Sequence, residues 1–362
     1  MQWLLLLILI PYIYFIFKIS VALKSIRTFL PETEPGIFVS VIVACRNEEK
    51  NIAMLLADIA IQNYPPDLYE LTVVDDNSSD STFNIASRFT GIKNLKILKN
   101  NGRGKKQALR TGIESSAGRL IITTDADCRV GKSWISTIAS FQAENKTEMI
   151  ICPVRLEVGE GLFRGFQELE FLSLQGITAG TTASGNPVMC NGANLAFLKE
   201  IYSAHAGNLH DELISGDDVF LLHSLKGDKR NKIGWIESAE SLVTTGASAT
   251  LGSFLRQRAR WISKTGYYSD RYTQILAIVT FVTICLQAFL TAAAFFSPEF
   301  LMVFMAALLI KSIPDFIILH NTTVRYKRKN LLRWFLPAQL VYPFYVLSIV
   351  FISVGGRSKY SG

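Results

Sequence analysis

Carboxylates recur where apolar runs end, and their spacing is the first sign of chemistry. Leu120–Thr123 is followed by Thr124-Asp125-Ala126-Asp127, and Leu71–Val74 by Asp75-Asp76-Asn77-Ser78-Ser79-Asp80. Two carboxylates at i,i+2 after an apolar strand repel each other unless something neutralises them. They suit Mg²⁺ or Mn²⁺ shared with a diphosphate, because such ions take one or two carboxylates plus phosphate oxygens. Asp127 is the stronger ligand candidate, since it stands farther beyond the strand end. Part of the earlier cluster also fits helix capping by Asp and Ser. Between the two lies Asn101-Gly102-Arg103-Gly104-Lys105-Lys106. A glycine loop opening a helix turns backbone N–H groups and cations toward an anion, or serves as a solvated basic turn.

Two later stretches extend the set. Ser215-Gly216-Asp217-Asp218 precedes the apolar Val219-Phe220-Leu221-Leu222. A carboxylate there can take a proton from an attacking hydroxyl or cap a helix. Arg256-Gln257-Arg258-Ala259-Arg260-Trp261 sets three arginines beside an indole. Guanidinium forks pair with phosphates and an indole face stacks on a sugar or base, whereas basic segments next to a membrane also meet lipid headgroups.

Residues so far apart in the chain need a scaffold to bring them together. Val39–Ala44 is a β-branched run followed by a helical stretch from about 48 to 61, which Asn63-Tyr64-Pro65-Pro66 ends. The unit repeats as Leu71–Val74 then Asp80–Phe89, Leu95–Leu98 then Lys105–Ser115, and Leu120–Thr123 then Ser133–Phe141, with a further strand near Met149–Cys152. Such alternation predicts an α/β domain with a mostly parallel sheet covered by helices on both faces. Ligands of such sheets bind at the carboxyl ends of the strands, where the acidic clusters stand.

Greasy ends flank this wetter middle. The 362 residues are 49% hydrophobic and 19% charged, and the mean hydropathy of +0.26 is high for a water-soluble globule. Met1–Phe17 runs into Lys18, Lys24 and Arg27, and three further apolar runs cover Ile275–Phe296, Phe300–Leu319 and Trp334–Val354. Each of the latter is long enough to cross a hydrocarbon core of about 30 Å. Arg325, Lys327, Arg328, Lys329 and Arg333 crowd the link between the last two runs, while Ser297-Pro298-Glu299 before them carries no positive charge. Positive loops face the cytosol, so the expected protein spans a cell membrane four times with both termini outside and the wet middle cytosolic. Lys311 and Asp315, at i,i+4 in the third run, fit either a functional intramembrane pair or a mutually neutralised pair facing other helices, and the second is the favoured reading. The net charge of +7 does not call for a nucleic-acid partner, and five cysteines without a CxxC pair fit small core residues rather than a zinc site.

In order, VSVIVACRNEE, VVDDNSSD, TTDAD, GDD and QRARW resemble membrane-bound members of glycosyltransferase family 2, which have the GT-A fold. The resemblance runs from about Val39 to Trp261 and is similar to cellulose, chitin, hyaluronan and poly-N-acetylglucosamine synthases and to ceramide glucosyltransferases. It implies four parts: an N-terminal membrane helix over 1–23, a cytosolic GT-A catalytic domain over 38–250, an interfacial segment over 251–273 and three membrane helices over 274–356. It further implies that Asp76 contacts the base or ribose of a nucleotide, that Lys105 and Asp125 serve the donor, and that Asp127 holds the metal. Asp218 then occupies the general-base position, with Asp217 on the family's preceding acidic residue, and Gln257, Arg260 and Trp261 hold diphosphate and acceptor. Leu162–Ile177 resembles the interfacial helices of these enzymes, and Asn191-Gly192-Ala193-Asn194 their acceptor-site segment.

The implied activity is inverting transfer of a sugar from a nucleotide-diphosphate sugar to a lipid or glycan acceptor at the membrane, with Mg²⁺ or Mn²⁺. A processive polysaccharide synthase is the alternative; four spans, fewer than polymer-extruding synthases usually have, favour the single transfer. A non-catalytic scaffold on the same fold would typically have lost TTDAD or GDD, and both are present. Sugar, nucleotide, acceptor and oligomeric state are not encoded in these motifs.

Overall fold

The β-branched runs become strands, and the Asn, Asp and Gly clusters after them become the turns from which helices start. The computed structural model describes residues 2–157, 159–210, 213, 216–228 and 232–355. Ser215, at the head of the GDD stretch, and residue 356, the expected end of the last span, lie outside the described residues. After a 3-10 segment at Gln2–Ile8, the chain runs α1 (Leu9–Ser25), β1 (Val39–Cys45), α2 (Ile52–Ala60), β2 (Tyr69–Asp75), α3 (Thr82–Ser87), β3 (Leu95–Lys99), α4 (Lys105–Ser115), β4 (Leu120–Asp125), β5 (Arg129–Val130) and α5 (Trp134–Asn145). It continues with β6 (Met149–Ile151), β7 (Val154–Glu157), α6 (Leu162–Ala183), β8 (Leu195–Leu198), α7 (Lys199–His205), α8 (Asp217–Lys226), β9 (Ile233–Trp235), β10 (Val243–Gly246) and α9 (Leu251–Ile262). The last three helices are α10 (Arg271–Ala293), α11 (Pro298–Arg325) and α12 (Phe335–Gly355). Helix α2 is shorter than the expected 48–61 stretch, because the Glu48 carbonyl accepts from both Asn51 and Ile52 N–H (2.9 Å each) and makes a turn of that segment.

Two compact units result: Arg27–Glu157 with Met189–Gly246, and Met1–Ile26 with Val158–Val188 and Ala247–Gly362. The expected catalytic stretch 38–250 is thus interrupted by the segment carrying α6. The first of these units is built on a seven-stranded sheet in the order β3-β2-β1-β4-β8-β6-β9, with a small β5-β10-β7 sheet beside it. Strands β3, β2, β1 and β4 run parallel and β8 runs antiparallel to β4, so the sheet is mostly parallel. Strands β1, β2 and β4 are buried along nearly their whole length and read as continuous apolar runs, as strands covered on both faces must. Val41, Val43, Leu71, Val73, Leu120 and Ile122 form the core with Leu55 and Ile59 of α2 and Ile135 and Ile138 of α5.

The second unit gathers the apolar segments. Gln2–Ser25, Arg271–Ala293, Pro298–Arg325 and Lys329–Gly355 are each long and apolar enough to cross a membrane. Helix α6, longer than the expected 162–177 stretch, packs on α1 and α11. That approach is close: a Cβ on Gly180 would collide with Ile19, and one on Gly176 with Thr322.

One cluster of polar groups buried inside this unit is cross-linked by hydrogen bonds. Lys311 Nζ donates to Asp315 Oδ2 (2.6 Å) and to Gln339 Oε1 (2.9 Å), and Gln339 Nε2 donates to the same carboxylate at 2.8 Å. Tyr12 Oη donates to Asp315 Oδ1 (2.6 Å), and Gln287 Nε2 donates to the Gln339 carbonyl (2.8 Å). One residue from each of α1 and α10, two from α11 and one from α12 therefore share one network, so the expected neutralised pair is also a cross-brace. Removing one member strands the others. Lys311→Met should lower the unfolding free energy in detergent by on the order of 3 kcal/mol, whereas Lys311→Met with Asp315→Leu should recover much of the loss; equal Tm for the single variant and the parent would disprove the brace.

Candidate active site

The site begins with strand register. Cys45 pairs with Asp75, and Ala44 with Asp125, so the parallel strands β1, β2 and β4 end level and release their next residues at one sheet edge. Asp76 N–H donates to the Cys45 carbonyl and Asn100 N–H to the Asp75 carbonyl (2.8 Å each), which continues the ladder just past the strands. The Asp76 carboxylate is 4% exposed and accepts from Asn100 Nδ2 (2.7 Å) and, through both oxygens, from Gly104 N–H (3.0 Å). Gly104 has φ +92°, a conformation closed to side chains, and its turn is what aims that N–H before α4 starts. Arg46, Asp76, Asn77 and Arg103 line an open cleft of about 340 Å³. Two arginines flanking one anchored carboxylate give the cleft both an anion-binding and a hydroxyl-accepting character.

Next to it stand the expected carboxylate pair and the lysine. Lys105 Nζ forms an ion pair with Asp125, so one member of the pair carries its own counter-charge. Desolvation works against the Lys105 ammonium, but Asp125, aided by Asp217 and Asp218, outweighs it and holds the pKa above its ordinary value. Asp127 Oδ2 accepts from Thr245 Oγ1 at 3.2 Å. Burial, then the charge of Asp125, pushes Asp127 above the usual carboxylate range, with Thr245 and Lys105 pulling the other way. Burial also raises Glu48; Asn51 opposes the shift, while Asp127 and Asp125 add to it. The turn between β4 and β5 is held from α2: Asp58 accepts from Arg129 Nε and Nη2 (2.6 and 2.7 Å) and from Val130 N–H (3.2 Å).

Carboxylates whose charged forms are disfavoured by burial and by one another fit a divalent cation. Among the described residues no three His, Cys, Asp or Glu side chains converge as a ready metal cage. An ion on Asp127 would therefore take most of its oxygens from a bound diphosphate and water, a habit of Mg²⁺ and Mn²⁺.

Helix α8 brings the last acidic pair into the same unit. Gly216, at φ +110°, turns the chain into α8, which places Asp217 and Asp218 in the first helical turn. Asp218 Oδ2 accepts from Gly192 N–H (3.0 Å), and Oδ1 from Val219 N–H (2.8 Å). Burial and then the charge of Asp218 raise Asp217, while Lys105 lowers it. The loop donating that Gly192 N–H is rigidly tied: Thr123 Oγ1 donates to the Gly192 carbonyl (2.9 Å), and buried Asn194 bonds Trp134, Pro153 and Ser241. Asp76, Lys105, Asp125, Asp127 and Asp218 thus all belong to the sheet-bearing unit.

Gln257, Arg260 and Trp261 lie on α9 in the unit of apolar helices. There the structure sorts the three arginines, for Arg256 and Arg260 are exposed while Arg258 is 4% exposed and bonded to Glu170. Sequence reasoning missed Arg46, Glu48 and Asn100, which bring cation, carboxylate and amide to the sheet edge. The RNEE after β1 was the signal for Arg46 and Glu48, and no motif marked Asn100, which directly follows β3. It also missed Asp58 and Thr245, whose roles rest on contacts across the fold. Replacing Gly104 by alanine meets no atom within 4 Å, so any cost comes from φ alone. Gly104→Ala should cost about 1–3 kcal/mol of strain, read as a lower Tm and weaker nucleoside diphosphate binding; unchanged values of both would show that the loop does not need this turn.

Comparison with known proteins bears on the fold. Residues 40–205 match the profile of the family described as Glycosyl transferase family 2. Glycosyltransferase AglE of Haloferax volcanii is 41% identical over 100 residues, 27% of this chain and 33% of that protein. A beta-monoglucosyldiacylglycerol synthase of Trichormus variabilis is 35% identical over 112 residues, 30% of this chain and 24% of that protein. These matches span a third or less of the relatives' own length. Mannosyltransferase PcManGT from Pyrobaculum calidifontis, solved in complex with GDP-Man and Mn²⁺, superposes with a TM-score of 0.64 over 98% of this chain and 99% of its own, at 17% identity. Its likeness concerns the fold. Residues 40–205 are thus similar to glycosyl transferase family 2, and the fold is that of a GT-A domain with four apolar helices beside it in sequence.

Proposed function

We propose that the protein is a metal-dependent, inverting glycosyltransferase moving a sugar from a nucleotide-diphosphate sugar to a lipid or glycan acceptor at a membrane. One observation carries this reading: Asp76 in an arginine-flanked cleft, the Asp125–Asp127 pair with Lys105, and an oriented Asp218 share one unit. Relatives named as acting on poly(ribitol-phosphate), as making beta-monoglucosyldiacylglycerol and as modifying a dolichyl-linked sugar support a glycan or lipid acceptor. Mn²⁺ beside GDP-Man in the mannosyltransferase structure supports a divalent ion.

In this reading Asp76, held by Asn100 and Gly104, accepts hydroxyl or N–H groups of the nucleoside, while Arg46 and Arg103 favour its phosphates. Asp127 would hold Mg²⁺ or Mn²⁺, which would supply positive charge to the diphosphate leaving group. Lys105 cancels the charge of Asp125, so the donor's phosphates meet less net repulsion. Asp218 takes the proton of the acceptor hydroxyl, whose oxygen attacks the anomeric carbon opposite the leaving diphosphate. Gly192 N–H fixes Oδ2 of this carboxylate during that approach. A single displacement inverts the centre, so an α-linked donor yields a β-linked product. Gln257, Arg260 and Trp261 serve the departing diphosphate and the acceptor. Basic Lys18, Lys24, Arg325, Lys327 and Arg333 favour a cytosolic site and outer termini.

The test is the full chain in nanodiscs with UDP-, GDP- and dTDP-linked sugars, following nucleoside diphosphate release with and without lipid extract. Release that requires lipid and stops with EDTA, returning with Mn²⁺ or Mg²⁺, is the expected result; a ladder of products would instead indicate a polymer synthase, and silence with every donor a scaffold. Asp218→Asn should cut transfer by about 10²–10⁴-fold while nucleoside diphosphate still binds, and retained turnover would remove Asp218 from the base role.

A further inference from the structure

Of the three arginines beside Trp261, the middle one cannot meet a substrate. Arg258 is 4% exposed, and its guanidinium is spent inside the unit of apolar helices. Nε donates to Glu170 Oε1 and Oε2 (3.0 and 3.2 Å) and Nη2 to Glu170 Oε2 (2.6 Å), a forked ion pair with α6. Tyr345 of α12 donates to the same Glu170 carboxylate at 3.1 Å. The remaining edge of the fork is turned to α9 itself: Nη1 donates to Gln257 Oε1 at 2.6 Å. Its faces are covered by rings, with the carbon centre 4.2 Å from the Trp261 centroid and 4.7 Å from that of Phe254.

This geometry points to Arg258 as a positioning residue for its neighbours Gln257 and Trp261. An arginine side chain only donates, so the Gln257 amide must present its oxygen to Arg258. Ser248 Oγ donates to that same oxygen at 3.4 Å. The Gln257 NH₂ group is then turned away from both, which commits Gln257 to donate to an oxygen of its ligand. Trp261, half-buried, is held by one face against the guanidinium, which fixes the plane its ring can offer for stacking. Through Glu170 and Tyr345, both orientations are referred to α6 and α12. A lysine in place of Arg258 has a single donor head and no planar face, so it can do neither job in full. The assignment of a ligand to Gln257 and Trp261 rests on the proposed function; their orientation by Arg258 does not.

Removing Arg258 alone would bury the Glu170 charge and risk unfolding, so the decisive variant is Arg258→Met with Glu170→Leu, which removes the pair together. Its Tm in nanodiscs should stay near that of the parent. Iodide quenching of Trp261, taken as the difference from a Trp261→Phe counterpart of each protein, should rise. Acceptor KM should rise and kcat/KM for the acceptor fall by about 100-fold, and Arg258→Lys should restore only part of the loss. Unchanged quenching and unchanged acceptor KM at parental Tm would overturn the positioning role, as would lost turnover with unchanged quenching. Should the parent release no nucleoside diphosphate from any donor, the proposed function fails and the quenching result alone decides the orientation.

Discussion

Like charges crowded at the end of a parallel sheet are the constraint around which the first unit is organised. Strands β1, β2 and β4 end in register, so Asp75 and Asp125 reach the same edge and Asp76 and Asp127 follow directly. Parallel register leaves no freedom to spread them, and every carboxylate there must be matched by a donor, a cation or a raised proton affinity. The fold uses all three. Asp76 receives the Gly104 N–H and the Asn100 amide, Asp125 receives Lys105, and Asp127 is left with Thr245 and a pKa pushed up by burial. The least compensated carboxylate is the one the metal would occupy. A divalent cation on Asp127, as proposed, would supply the counter-charge that this carboxylate lacks.

The same accounting explains why the glycine loop and the GDD helix sit in one unit. Lys105 opens α4 directly after Gly104, so the turn that aims an N–H at Asp76 also delivers the ammonium to Asp125. Asp217 and Asp218 add to the field on that ammonium, which connects Asp125 to the α8 acids through one side chain. A neutral residue at 105 would leave Asp125, Asp127 and Asp217 facing each other across a partly desolvated space. Long-range positioning by Asp58, which grips both Arg129 and the Val130 backbone, keeps the Asp127 turn from relaxing away from that crowding.

Much of this was legible in the residues, for reasons that also mark where reading stops. Continuous β-branched runs announce strands buried on both faces, and acidic clusters directly after them announce the turns at the sheet edge, because both signals are local. Helix α4 began and ended where Gly104 and the run to Ser115 predicted. The 48–61 stretch did not, since the helix starts only at Ile52 after a backbone turn at Glu48 that has no sequence period. Nor does any local pattern separate Arg256, Arg258 and Arg260. Their spacing makes all three equivalent basic residues, and only packing against Glu170, a residue 88 positions away in the chain, buries the middle one. Asn194 repeats the lesson: it reads as part of an acceptor segment, yet its side chain is wholly buried and braces Pro153 and Ser241.

In the unit of apolar helices, polar contacts carry a different burden. Apolar side chains pack with little preference for one rotation of a helix over another, whereas a buried carboxylate accepts few arrangements. Glu170 is bonded by Arg258 from α9 and Tyr345 from α12, and Glu168 two residues earlier is bonded by Arg328 after α11 at 2.6 and 2.7 Å. Neighbouring positions on α6 thus fix the elements on either side of it, and a rotation of α6 by one residue would break both forks. Glu170 also sets the register of α9, and with it the direction in which Gln257 and Trp261 are offered. Charge pairs of this kind are a weak source of stability compared with apolar packing of equal volume. Their value here is geometric: they convert an apolar bundle that could settle in several rotations into one that presents a single face of α9.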